Sequence, residues 1–154
     1  MVVQIQAISQ RTSQNIAERF QQRAAELRER AALKIADALI DNSPVDTGTY
    51  IMAHAAGAGA MPQIADRSSH GKPRGRSESQ FKNLARGNLY RSVSAQAIQA
   101  SAEIWFRNTA IHAPFVEHGR SGSSVAGRLV YATTRAAAPE FIRQAAREMG
   151  MEAR

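Results

Sequence analysis

The chain contains no cysteine in its 154 residues. That excludes disulfide staples and thiol catalysis, and it fits a protein assembled in a reducing cytoplasm. Aromatic residues are scarce, at three Tyr, five Phe and one Trp. With much of the apolar content supplied by alanine, the core is expected to be thin and mostly helical, leaving contacts with partners to contribute to stability. No apolar run approaches the roughly 20 residues that span a bilayer. Met1 to Gln10 alternates apolar and polar residues, with no basic segment leading into an apolar one, so it does not read as a signal peptide. Acidic residues are also few: 13 Asp and Glu stand against 20 Lys and Arg, a formal net charge of +7. Such an excess repels itself unless something offsets it, which points to a polyanionic partner, nucleic acid first and an acidic protein second. The length predicts a single domain over 1–154.

Ile16, Phe20, Ala24, Leu27, Ala31, Ile35 and Leu39 recur at spacings of three and four, which predicts one long helix over 9–41. Asn42-Ser43-Pro44 ends it, because the residue before proline is pushed out of the α region, and Asp46-Thr47-Gly48 reads as a turn. A helix this long exceeds what so small a domain covers, so part of its stripe is expected to face a neighbouring copy. Thr49 to Ala56 has weak strand character, and Gly57-Ala58-Gly59-Ala60-Met61-Pro62 reads as a break. The stretch 57–88 reads as a long irregular loop, functional or disordered. Its cations Arg67, Lys72, Arg74, Arg76, Lys82 and Arg86 outnumber Asp66 and Glu78. Leu89 to Ile98 and Ala102 to Arg107 read as an antiparallel hairpin over 89–107, turning near Ala100-Ser101. In the second strand Ile104 and Phe106 should face one way, Trp105 and Arg107 the other. Asn108 to Gly119 reads as a connector with a helical turn, and Arg120 to Gly127 as a flexible loop. A last helix over 139–149 opens at Pro139, carries Ile142, Ala145 and Met149, and stops at Gly150. These elements give an α+β fold class.

A search for chemistry yields little. The four histidines, His54, His70, His112 and His118, form no metal-binding motif. Glu117 and His118 are the nearest to a catalytic pair, but adjacent residues point in different directions on a helix or strand. The serines of Gly119-Arg120-Ser121-Gly122-Ser123-Ser124 do not build a nucleophile elbow. Gly57-Ala58-Gly59-Ala60 lacks the third glycine of a dinucleotide fingerprint and runs into Pro62. No catalytic residue, cofactor or metal is therefore expected, which weighs against a hydrolase or toxin. The basic loop has a stronger claim, since clustered Lys and Arg neutralise phosphates without reading sequence. The alternative is a solvated insertion kept soluble by its charge. No recognition-helix motif or ribonucleoprotein signature is present, so sequence-specific binding is not expected.

Three stretches, in order, resemble the tail-completion, or head-tail joining, family of long-tailed double-stranded DNA phages, which includes the lambda protein Z-like minor tail proteins. Ser43-Pro44-Val45-Asp46-Thr47-Gly48, directly after a long helix, is similar to the family's A-P-V-D-T-G signature. His112-Ala113-Pro114-Phe115-Val116-Glu117-His118-Gly119 looks like its Y-A-x-Y-V-E-F-G-T segment, with Ala113, Val116, Glu117 and Gly119 matching. Ala138-Pro139-Glu140-Phe141-Ile142-Arg143-Gln144-Ala145 resembles the P-F-L-x-P-A opening of the final helix, with Glu140 inserted. Where the family continues from D-T-G into an L-R-x-S strand, this chain has Thr49-Tyr50-Ile51-Met52, and Leu89-Tyr90-Arg91-Ser92 follows only after the basic loop. The resemblance implies long N-terminal and C-terminal helices packed on a small, mainly antiparallel sheet, with the basic loop as an insertion. It also implies a non-enzymatic virion protein, made in the bacterial host cytoplasm, that forms a six-fold ring of identical copies at the head-tail interface. Implied partners are the connector or stopper protein, the tail terminator or tail tube, and packaged DNA contacted without sequence specificity. The alternative reading is a sequence-independent nucleic-acid-binding protein.

Overall fold

The computed structural model describes residues 2–45, 48–64, 77–97, 103–119 and 126–151, with the backbone alone given for 2–11 and 97. The first helix, α1 (Val2–Asn42), has 41 residues and so extends about 60 Å. It is longer at its start than periodicity predicts, and it stops where Pro44 requires. Its stripe divides in two. Leu27 and Ile35 are half-buried and Ala31 and Leu39 buried, whereas Ile16, Phe20 and Ala24 are exposed. The buried face continues through Ala32, Ala36 and Ile40 and packs against two later helices, α3 (Glu78–Ala97) and α5 (Val130–Glu148). The largest fully buried side chains are Leu39, Ile40, Ile51, Leu89, Val93 and Val130. Each contributes about 1.5–3 kcal/mol by leaving water.

Between α1 and α3 the chain makes the short helix α2 (Thr49–Met52) and then strand β1 (His54–Ala58). Thr49 to Met52 is therefore helical where strand character was expected, and it buries Tyr50 and Ile51. Gly57 and Ala58 belong to the strand, so the break falls at Gly59-Ala60. The sheet has two antiparallel strands, β1 and β2 (Ile104–Asn108), in register from His54 opposite Asn108 to Ala58 opposite Ile104. Ile104 and Phe106 pack toward the core while Trp105 is exposed, the alternation expected of that strand.

The predicted hairpin over 89–107 is overturned. Residues 78–97 are helix α3, and β2 pairs with β1 instead. The apolar residues that α3 buries are Phe81, Ala85, Leu89 and Val93, four apart, a helical period. The helix also opens on a capping box: the Gln80 amide donates to Ser77 Oγ at 3.3 Å, and the Ser77 amide to Gln80 Oε1 at 2.9 Å. The turn expected near Ala100-Ser101 lies outside the described residues. On the side of β1 away from β2, α3 replaces a third strand. Ser92 Oγ accepts from the Ala56 amide and donates to the Ala56 carbonyl, and Gln96 Oε1 accepts from the Ala58 amide. Side chains of a helix thus satisfy an edge that would otherwise invite pairing with another chain.

After β2 come α4 (Ala113–His118) and α5, which starts nine residues before the predicted Pro139. Pro139 lies inside α5, where it offers no amide to the Arg135 carbonyl; both residues are exposed, so that carbonyl is on a side of the helix open to solvent. The helix ends as expected at Gly150, in a Schellman arrangement with Gly150 bonded to the Arg147 carbonyl and Met151 to that of Ala146. Replacing Ser77 by Ala is expected to lower the unfolding free energy by about 1 kcal/mol through loss of the cap, read from the denaturant midpoint.

Candidate functional site

The helix stop is also a junction. Ser43 Oγ donates to the Leu39 carbonyl at 2.6 Å, capping the end of α1, and the same oxygen lies 2.7 Å from His54 Nε2. Because the hydroxyl proton is committed to Leu39, Ser43 can only accept from the ring, so Nε2 carries the proton. Nδ1 then has a free lone pair, which accepts from the Tyr131 hydroxyl at 2.9 Å. Burial pushes the His54 pKa down to about 3 and raises that of the Tyr131 phenol, so the imidazole is neutral and the phenol remains a donor. The chain Tyr131 to His54 to Ser43 to Leu39 thus runs in one direction, from α5 through β1 into the last turn of α1.

A second chain of bonds meets it at Tyr131. Tyr50 donates its hydroxyl proton to Glu117 Oε1 at 2.5 Å, and the Tyr131 amide donates to both Glu117 oxygens, at 3.3 and 3.1 Å. Burial, then the hydrogen bond to Glu117 and its charge, raise the Tyr50 pKa. The Tyr50 ring stands edge-on to His54, with centroids 5.2 Å apart. Asn108, at the end of β2, donates to the Tyr50 carbonyl at 2.8 Å. Two glycines make the approach possible. Gly48 has φ +77°, and a Cβ there would lie 2.7 Å from the buried Phe81 ring. A side chain at Gly127 would collide with the Glu117 carbonyl, which accepts from Leu129 as the chain crosses into α5.

The first two motif stretches are therefore brought together. Val45 and Val116 pack against the core, Ala113 is buried, and Glu117 is bonded to Tyr50, two residues past Gly48. Pro44 is half-buried, Gly119 forms an isolated bridge with Ala126, and Asp46 and Thr47 lie outside the described residues. The third stretch joins only through the start of its helix. Tyr131 enters the network, whereas Pro139 is exposed and Phe141 half-buried farther along α5. His54, Tyr50 and Tyr131 were not singled out from the sequence.

The basic candidates divide differently. Arg67, Lys72, Arg74 and Arg76 lie outside the described residues, as does His70. Lys82 and Arg86 belong to α3, not to a loop. Lys82 pairs with Glu78 at 2.9 Å, one turn away. Arg86 is held between Asp37 and Asp41 of α1, each at 2.7 Å, and Tyr90 donates to the same Asp37 oxygen at 2.6 Å. Burial disfavours its charge, but the Asp37 hydrogen bond and the two carboxylates outweigh that and hold its pKa above the ordinary value. Arg86 is thereby removed from the cations available to a phosphate, because its guanidinium is already paired with two carboxylates.

Among the described residues, the arrangement nearest to a reacting pair is Ser43 with His54. A Ser43–His54 pair has the spacing of a nucleophile and base, but both are buried and the ring nitrogen facing the hydroxyl already carries a proton, so it cannot take another. Glu117 turns inward while His118 is exposed, so those neighbours do not act together. Among the described residues, no group of three or more His, Asp or Glu is placed to hold a metal. Two open apolar grooves flank the body. One of about 350 Å³ is lined by α1, β2 and Ile142, and one of about 290 Å³ lies beside Ile64, Ile111 and Tyr131. No family model, curated protein or solved structure shows a significant match to the chain.

Two outcomes follow from the network. His54 titrates at about 3 when folded and near the ordinary ~6.5 when unfolded, so between those values the unfolded chain binds the extra proton. Its stabilisation is complete above about pH 6.5 and is lost as pH falls toward 3, with a slope of at most about 1.4 kcal/mol per pH unit. Urea titrations across that range should show this loss, and a His54→Gln variant should be less stable at pH 7 but flatter below it. Glu117→Gln should lower stability by about 1–3 kcal/mol, because one of the two donors aimed at the carboxylate then meets an amide NH2.

Proposed function

We propose that this chain is a non-enzymatic structural protein of a bacteriophage particle, a tail-completion subunit that forms a ring at the head-tail junction. The observation that carries the reading is the meeting of Ser43-Pro44 to Gly48 with Ala113 to Gly119. The two stretches by which the sequence resembles that family lie far apart in the chain, yet Tyr50–Glu117 and Ser43–His54–Tyr131 tie them into one buried network. A family signature retained for packing would do this. Exposed apolar side chains add support: Ile16, Phe20, Met61, Ile64, Ile111, Phe115 and Ile142 are more than a solitary subunit of this size has reason to leave in water.

In the proposed ring, the connector or stopper lies on one side and the tail terminator or tube on the other. Arg67, Lys72, Arg74 and Arg76 would face packaged DNA or an acidic neighbour, acting by charge without reading bases. Lys82 and Arg86 have no place in that role. The net charge of +7 favours a second reading, a free nucleic-acid-binding protein. The two differ in where the protein ends up. Phage lacking this chain should yield filled heads and separate tails that do not join, and intact virions should contain the protein at the neck in electron density. A protein missing from purified virions, but binding duplex DNA in a salt-sensitive way by itself, would replace the first reading with the second.

A further inference from the structure

The apolar stripe of α1 is bare at one end and walled at the other. From Thr12 to Ala24 every residue is exposed, and Phe20 and Ile16 retain 73% and 51% of their accessible surface. One turn farther on, the same stripe forms a wall of the larger groove, where Leu27, Ala31 and Ile35 face Ile104 and Phe106 of β2 and Ile142 of α5. The groove floor is small because Ala31 and Ala32 supply it, and the free ridge ends in Phe20, the most exposed large apolar side chain described. Ridge and groove are complementary in character, large against small and apolar against a lining that is apolar apart from Arg28.

A subunit cannot fill its own groove. Phe20 and Ala31 are on one continuous helix, eleven residues and so about 16 Å apart along its axis, and the helix cannot fold back on itself. Among the described residues, each copy therefore leaves this groove unfilled and this ridge uncovered. Contacts of that kind join different patches of successive copies, which is the heterologous geometry that closes into rings. We propose that the ridge Ile16–Phe20 of one copy seats in the groove formed by Leu27, Ala31, Ile104, Phe106 and Ile142 of the next, and that this head-to-tail contact is the subunit interface. The inference rests on the ring reading for the number of copies, but the surface is argued from the geometry alone.

The absence of cysteine allows a clean test. Full-length Ala17→Cys protein, which keeps the ridge side chains Ile16 and Phe20, is mixed with full-length Ile142→Cys protein under mild oxidation; Ala17 and Ile142 are both exposed, so neither change burdens the core. The mixture should give a disulfide-linked pair that neither protein gives alone. A chain carrying both substitutions should give a ladder extending past the dimer, and Phe20→Ser should abolish oligomers seen by sedimentation of the unmodified protein. Ala95→Cys, exposed on α3, is the control for random collision. Equal crosslinking of Ile142→Cys and the Ala95→Cys control to Ala17→Cys overturns the proposal, as does a double variant that stops at two chains. An unmodified protein that oligomerises while the mixture stays uncrosslinked overturns this surface and leaves the ring reading standing. Crosslinking by a protein that is missing from virions keeps the surface and removes the ring.

Discussion

The bond from Ser43 Oγ to the Leu39 carbonyl does two things with one proton. It satisfies the Leu39 carbonyl, whose usual partner, the Ser43 amide, bonds to the Ile40 carbonyl at 3.2 Å instead, and it fixes the polarity of every bond beyond it. With the serine hydroxyl spent, His54 must donate from Nε2 and accept at Nδ1, and Tyr131 must donate. Three elements, α1, β1 and α5, are therefore locked to one another through groups that would each be costly to bury alone. Breaking any one of them would leave a buried donor or acceptor without a partner, at about 1–3 kcal/mol. The network stays neutral throughout its histidine arm, which avoids the larger penalty of desolvating a charge.

That economy matters because the core is thin. Alanine supplies much of it, and alanine burial frees little apolar area, so close helix approach replaces bulk. Ala32 and Ala36 on α1, Ala85 on α3 and Ala145 on α5 are all buried, and they allow α3 and α5 to lie close on the central helix. The two-stranded sheet is too small to stand alone. It persists because α3 closes its edge from Ser92 and Gln96 while Ile104 and Phe106 pack beneath it.

Local rules were legible and long-range ones were not. The stop at Ser43-Pro44, the strand alternation at Ile104 and Phe106 and the stop at Gly150 follow from single residues and their neighbours, and all are observed. The long amino-terminal and carboxy-terminal helices with a small antiparallel sheet were also readable as a class. Leu89 to Ile98 was misread because it was taken apart from Phe81 and Ala85, which with Leu89 and Val93 complete a four-residue period. The Ser77-Glu78-Ser79-Gln80 box was in plain view and would have started the helix correctly. Pro139 misled in the opposite sense, since its cost depends on whether water can reach the Arg135 carbonyl, which only the packing decides. The buried network could not be read at all: its members are 11, 67 and 77 residues apart, and nothing in sequence spacing says they meet.

Charge placement shows the same gap between counting and geometry. A net +7 suggests a cationic surface, but several cations are spoken for within the subunit: Arg86 by Asp37 and Asp41, Lys34 by Glu148, Arg30 by Glu26 and Arg143 by Glu140. Most of these pairs are exposed and contribute little to stability, on the order of 1 kcal/mol or less each. Their larger effect is on the field, because a paired cation no longer adds to the potential felt by a distant polyanion. Arg86 differs from the rest in degree. Two carboxylates and a phenol converge on one face of α1, so it ties α3 to α1 as a structural clamp. Net charge therefore overstates how many of the described cations are free of an acidic neighbour within the subunit.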